Sequence, residues 1–390
     1  MLNSDIHGYG VQGGGTLSIE TGTAVVVGDQ PLFQNAEYLE AGKAAPIAVR
    51  LDEPLTVLAG ETLPANATYD KVFANQILPT QINFTNTGHT LDIVVGPGGW
   101  DLNGTGLDVY VNGSNSSANR YRGNTGSNRV VPEGTRVTRI NSGYLPAGYE
   151  MPAFVTELST PTYTVQAGQA ALIDTLLPVG SLVKPGALVN QAVAIQAPLQ
   201  LAEDVFTKGF SQYTVTGQLG ALVVEGAQVD VSMPVYRFGE HSQGSATGSD
   251  AGALELWTPP LYLENAITGV LTQRKGASLS LQAGNSHSTD AVATQLHIDR
   301  GARIAVDPGQ AISLQSIGQL TVDGTLQAWG GSIELGQATS STASTDAGSS
   351  VWLSETAVLD VAARAATAVD AWGNTYGQVH NGGSIIIGNQ

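Results

Sequence analysis

A chain of 390 residues with 42% hydrophobic and 13% charged side chains has ample material for a core but only about half the usual complement of charge. Its net charge of −17 argues against a duplex nucleic-acid partner, which would need a basic face. The absence of cysteine excludes disulfide scaffolds and cysteine-based metal sites, and it fits an exported protein that stays unfolded in transit.

Taken in chain order, one phrase recurs: apolar, polar, apolar, then a glycine or turn, then apolar, polar, apolar again. It opens as Leu17-Ser18-Ile19 before Gly22 and Val25-Val26-Val27. It returns as Leu222-Val223-Val224 before Val229-Asp230-Val231, and as Leu296-His297-Ile298 before Ile304-Ala305-Val306. Later copies are Leu320-Thr321-Val322 before Leu326, and Val351-Trp352-Leu353 before Leu359-Asp360-Val361. Strict alternation places the apolar side chains on one face of a strand. Turns about every seven or eight residues leave no room for helices, so the class is all-β, and such short self-similarity predicts a β-solenoid. On that reading function lies on an elongated surface.

Three regions follow. Residues 1–40 hold one solenoid phrase and a loop. Residues 41–200 hold a different phrase, seen in Leu58-Ala59-Gly60, Pro132-Glu133-Gly134, Leu145-Pro146-Ala147-Gly148 and Leu177-Pro178-Val179-Gly180, together with most of the 17 prolines. Proline donates nothing to a sheet ladder, so this stretch is expected to be a β-rich insertion of short strands and turns. From 201 to 390 the solenoid phrase resumes. Ser/Thr/Gly-rich loops are expected at 239–252 and 338–350, and the alanine-rich stretch 361–369 is expected to form one or two helical turns. Residues 270–390 should build about five stacked coils. Leu279, Leu281, Leu296, Ile298, Ile304, Val306, Leu320, Val322, Ile333, Leu335, Leu353, Leu359 and Ile385 should face inward. No stretch approaches about 18 consecutive apolar residues, so no transmembrane helix is expected. Met1–Asp5 has neither the basic nor the apolar part of a signal peptide. Both ends fall in mid-repeat, and a longer parent protein is expected.

The phrases Gly330-Gly331-Ser332-Ile333-Glu334-Leu335 and Gly382-Gly383-Ser384-Ile385-Ile386-Ile387 resemble the filamentous haemagglutinin family of large secreted adhesins. So does the segment Val205-Phe206-Thr207-Lys208-Gly209-Phe210-Ser211-Gln212-Tyr213, which is similar to an element recurring in a subgroup of those exoproteins. The resemblance implies a right-handed parallel β-helix and two-partner secretion of the parent through an outer-membrane barrel. It also implies a non-catalytic adhesive role at the cell surface, with host or bacterial surface glycans or extracellular polysaccharide as partners and no membrane insertion.

Five of the eleven arginines lie within twenty residues (Arg120, Arg122, Arg129, Arg136 and Arg139), opposed there only by Glu133. Arginine offers paired donors to carboxylate and sulfate, so the cluster is a candidate patch for an anionic glycan, with Tyr110, Tyr121 and Tyr144 as stacking platforms. The competing reading is a solvated loop bearing its charges outward, or arginines paired with acids of the solenoid. Trp100–Asp108 has oxygen ligands near glycines but lacks EF-hand spacing, and Asp/Asn-Gly pairs are ordinary turn chemistry. The six histidines are scattered, so no metal site and no cofactor is assigned. Acids recur in outward slots (Asp230, Glu334, Asp360) and in or beside turns (Asp299, Asp307, Asp323). Carboxylates stacked on successive coils build the sites of β-helical polysaccharide lyases and hydrolases, which is the alternative function.

Overall fold

A computed structural model describes residues 6–33, 37–85, 89–114, 116–125, 128–238, 254–338 and 349–388. The described residues are strands, turns and two short 3-10 helices, Ser117–Asn119 and Glu203–Thr207. None of their helices is long and apolar enough to cross a membrane. Two compact units divide the chain: Met1–Arg50 with Lys184–Gly186 and Ala194–Gln390, and Leu51–Val183 with Ala187–Val193. Residues 41–50 and 194–200, grouped with the insertion by their sequence, thus lie in the first unit.

The first unit is built on three parallel sheets. Sheet one stacks Thr16–Thr21, Gln212–Gly217, Ser278–Ala283, Ala311–Ser316, Ser332–Gln337 and Ser384–Ile387 in that order. Sheet two stacks Leu199–Leu201, Val25–Val27, Gly220–Val223, Gln295–Ile298, Gln319–Val322 and Ser350–Leu353. Sheet three stacks Gln228–Val231, Arg303–Val306, Thr325–Gln327 and Val358–Asp360. From residue 212 onward the chain visits sheets one, two and three in turn, and each visit pairs with the last in strict parallel register. The register aligns apolar residues in columns: Leu17, Tyr213, Leu279, Ile312, Ile333 and Ile385 form one.

Ten of the thirteen residues expected inward, from Leu279 to Leu335, are at most 5% exposed. Leu353 and Ile385 are 38% and 41% exposed and Leu359 is half-buried, because each sits on the last strand of its sheet. Between 270 and 390 there are three complete circuits and the first strand of a fourth, not about five. Among the described residues three antiparallel hairpins leave the stack, and the last of them lies wholly inside that window. Two antiparallel hairpins, Val235–Phe238 with Leu254–Trp257 and Tyr262–Asn265 with Val270–Gln273, follow sheet three in one circuit. A third, Arg364–Val369 with Thr375–His380, follows it three circuits later.

That third hairpin corrects the expected helix at 361–369. Alanine's helix preference is weak, and here Asp370 closes a turn by accepting from the Trp372 and Asn374 amides at 2.9 and 2.8 Å. The turn folds the alanine run back onto Thr375–His380. The expected loop residues 239–252 and 339–348 lie outside the described residues. The Val205–Tyr213 element is core: Phe206 and Tyr213 are 1% and 0% exposed, their rings 5.6 Å apart. Tyr213 accepts from the Phe210 amide at 3.3 Å, and burial pushes its hydroxyl pKa up to about 12.

The second unit is a nested series of antiparallel pairs. Leu55–Val57 faces Thr175–Leu177, Ala67–Phe73 faces Glu157–Val165, and Ile82–Phe84 faces the end of Arg136–Leu145. Its turns share one unit with those of the first: apolar residue, two residues, glycine, two residues, apolar residue. In Leu145-Pro146-Ala147-Gly148-Tyr149-Glu150-Met151, Leu145 and Met151 are buried, and the Tyr149 amide donates to the Pro146 carbonyl. Ile298-Asp299-Arg300-Gly301-Ala302-Arg303-Ile304 is built alike, with the Ala302 amide on the Asp299 carbonyl. Gly148 and Gly301 take φ of +80° and +73°, the third-position geometry that favours glycine.

Candidate functional site

Arg129 lies in the loop before Val130, and Arg120, Arg122, Arg136 and Arg139 fall on one small sheet of the second unit. Asp108–Val111 is its middle strand, flanked by Arg120–Arg122 on one side and Arg136–Leu145 on the other, both antiparallel. Asn112 and Gly113 end the middle strand with φ of 53° and 69°, a pair suited to the left-handed region. The side chain of Ser116 then caps the 3-10 turn Ser117–Asn119, which turns the chain into Arg120.

Register sets the chemistry. Tyr110 stands opposite Arg120 on one neighbour and Arg139 on the other. Their guanidinium carbons lie 5.5 and 4.5 Å from the Tyr110 ring centroid, within cation–π range. Asp108 stands opposite Arg122 and diagonal to Arg120. It accepts from Arg120 through both oxygens, with Nε to Oδ1 at 2.6 Å, and from Asn141 at 3.2 Å; Arg122 lies at 3.7 Å. Burial alone would raise the Asp108 carboxyl, but hydrogen bonds from Arg120 and Asn141, with the charges of Arg120 and Arg122, outweigh it and hold the group below the usual carboxylate range.

The remaining expected residues are placed less tightly. Arg136 pairs with Asp92 at the surface, and Arg129 donates to Asn103 at 3.3 Å. The Nε of Arg139 is buried without a partner. Tyr121 is half-buried. Tyr144 is 40% exposed, with its ring laid across Gly106, where a Cβ would come within 2.3 Å. Tyr110 is therefore occupied on its face by arginine, whereas Tyr144 keeps surface open. Ser117, Arg120, Arg122, Thr125 and Asn128 line a cleft of about 210 Å³.

Sequence reasoning missed Asp108, Asp92 and Asn141 as the partners that organise the cluster. Asp108 and Tyr110 alternate on one strand as Arg120 and Arg122 do on the next, but the antiparallel register is what brings them opposite one another. In the Trp100–Asp108 segment, Asp101 accepts from the Asn103 amide at 2.9 Å while Asp108 faces the arginines, so the two carboxylates serve different partners. No group of three His, Asp or Glu side chains able to hold a metal occurs among the described residues.

Most acids of the repeats are also engaged. Asp230 accepts from Arg303 at 2.6 Å, and Asp360 from the Trp329 indole at 2.8 Å. Asp307 is buried against Arg274, with contacts of 2.8 and 3.0 Å. Asp299 and Asp323 differ, since both flank His297, at 3.4 Å from Nδ1 and 2.7 Å from Nε2. No family model matches this chain, and comparison with curated proteins and with solved structures returned no match.

Proposed function

We propose that this chain is a fragment of a secreted bacterial surface adhesin of the filamentous haemagglutinin type. On this reading its first unit is a right-handed parallel β-helix, non-catalytic, and its second unit presents a binding region for anionic surface or extracellular glycans. The parent protein reaches the cell surface through an outer-membrane secretion barrel.

The observation that carries the reading is the strand-for-strand parallel register of three sheets, which stacks Leu296-His297-Ile298, Leu320-Thr321-Val322 and Val351-Trp352-Leu353 residue on residue. The aromatic core made by Phe206, Phe210 and Tyr213 gives the family-like element a folding role. The cleft beside Arg120 and Arg122 supplies guanidinium, hydroxyl and amide groups in one place, a donor-rich set suited to carboxylated or sulfated sugars.

Polygalacturonate and heparin are the test ligands. Binding should weaken as salt rises, since exposed charges are screened over about 8–10 Å at physiological ionic strength. Arg122→Ser with Arg129→Ser should abolish it while leaving the Arg120–Asp108 pair intact. Undiminished binding by that variant removes the site. The competing polysaccharide lyase or hydrolase reading is favoured by one observation, the Asp299–His297–Asp323 group; release of reducing ends from either polymer would establish it.

A further inference from the structure

We propose that the outward face of sheet two carries a separate subsite for a neutral oligosaccharide, with Trp352 as stacking platform and the Asp299–His297–Asp323 group as its polar end. The inference does not rest on the arginine cluster, which lies in the other unit.

Three strands build this face. In register, His297 stands beside Thr321, and Thr321 beside Trp352. His297 and Thr321 have inward residues on both sides, Leu296 and Ile298, then Leu320 and Val322, all fully buried, and Trp352 holds the same register position on the next strand. The three therefore point outward in one column, at about 4.8 Å per strand, so that His297 and Trp352 stand roughly 10 Å apart. That is the span of about two sugar rings. Earlier members of the same column, Val26 and Leu222, are buried. Ile47 comes within 3.4 Å of a Cβ built on Gly220. The column opens to solvent only from His297 onward.

Each row ends in a polar residue just past its strand, and these stack too: the Asp299, Asp323 and Ser354 amides donate in turn to the Val223, Ile298 and Val322 carbonyls. His297 bridges the two carboxylates, and the Gln319 amide group fixes the Thr321 hydroxyl at 2.8 Å. These groups are held before any ligand arrives, which limits the side-chain ordering that binding requires. Trp352 is 61% exposed. An indole this open beside fixed carboxylate, imidazole, amide and hydroxyl groups matches a sugar ring, whose C–H face stacks on an aromatic plane while its hydroxyls reach planar polar partners.

Charge selects the kind of sugar. Asp299 and Asp323 carry two negative charges against at most one positive charge on His297 between them, and Glu225 near Asp299 offsets Arg300 near Asp323. The balance is negative, which disfavours uronates and sulfated sugars and leaves neutral rings. The two proposed sites thus take opposite classes of glycan.

The test uses the full chain titrated with cellohexaose, maltohexaose and chitohexaose, followed by tryptophan emission and calorimetry. At least one should bind in the millimolar range or tighter, Trp352→Ala should weaken it about tenfold or more, and Trp352→Phe should restore much of the loss. Asp323→Asn should weaken the same ligand, while Arg122→Ser with Arg129→Ser should leave it unchanged. Trp352 is exposed, so an unchanged thermal midpoint in Trp352→Ala separates lost binding from lost folding. No binding of any of the three sugars near 10 mM, or equal binding by Trp352→Ala, overturns the proposal. Release of reducing ends overturns it as well, in favour of catalysis on this face.

Discussion

Replacing Asp307 by alanine isolates a buried ion pair that ties two hairpins to the parallel sheets. Arg274 follows the second hairpin and its side chain is 0% exposed; Asp307 follows Arg303–Val306 and its side chain is 9% exposed. Arg274 Nη1 donates to Asp307 Oδ2 at 2.8 Å and Nη2 to Oδ1 at 3.0 Å. Nη1 also reaches the Met233 carbonyl at 3.1 Å, just before the first hairpin, and Asp307 Oδ2 accepts from the Met233 amide at 3.2 Å. The pair thus closes both ends of the 234–273 excursion onto one circuit.

Removing the carboxylate strands a guanidinium whose Nε already lacks a partner. Breaking such a pair by deleting one member costs about 3–5 kcal/mol. Asp307→Asn keeps an oxygen for Met233 and should lose less. Arg274→Met with Asp307→Leu removes both charges and should recover most of the loss, short of the hydrogen bond to the Met233 amide, which is worth about 1 kcal/mol. Equilibrium guanidinium unfolding reads these differences as midpoint shifts at unchanged slope. A loss below about 1 kcal/mol for Asp307→Ala, or a double variant no better than the single, would refute the reasoning.

Ile298→Ala opens a cavity in a column between Val223 and Val322 and should cost about 2–5 kcal/mol, measured by the same unfolding curves. Gly148→Ala meets no atom within 4 Å, so its penalty should be the backbone strain alone, about 1–2 kcal/mol. Gly331→Ala, whose Cβ would stand 1.8 Å from the Gln310 carbonyl oxygen, should be clearly worse in a parallel thermal melt. Asp108 is held below its ordinary value, so its stabilisation is complete above about pH 4 and is lost as pH falls through the folded value. Asp108→Asn should flatten the acid limb of a stability–pH profile, and an unchanged profile would show that the carboxylate contributes nothing.

The alternation of Leu296-His297-Ile298 and its relatives was enough to fix the all-β class and the interior of the repeats. A strand has a two-residue period, and one buried face leaves a single register that keeps every aliphatic side chain out of water. Glycine's place in the turns was legible for a similar local reason, since each spacing of apolar residues around Gly148 or Gly301 requires a left-handed backbone. The partners of the arginines were not legible, because which acid faces Arg120 depends on antiparallel register between strands separated by a loop. Nor was the hairpin at 364–380, where pairing with Thr375–His380 overrode the weak helical preference of an alanine run. The exposure of Leu353 and Ile385 depended on what stacks beyond them, which local pattern does not encode. The surface grouping of His297, Asp299, Asp323 and Trp352 came from three successive circuits, with Trp352 lying 55 residues beyond His297 along the chain. Tertiary stacking alone brings such residues within reach, because local sequence specifies which face a side chain takes and long-range packing specifies its neighbours.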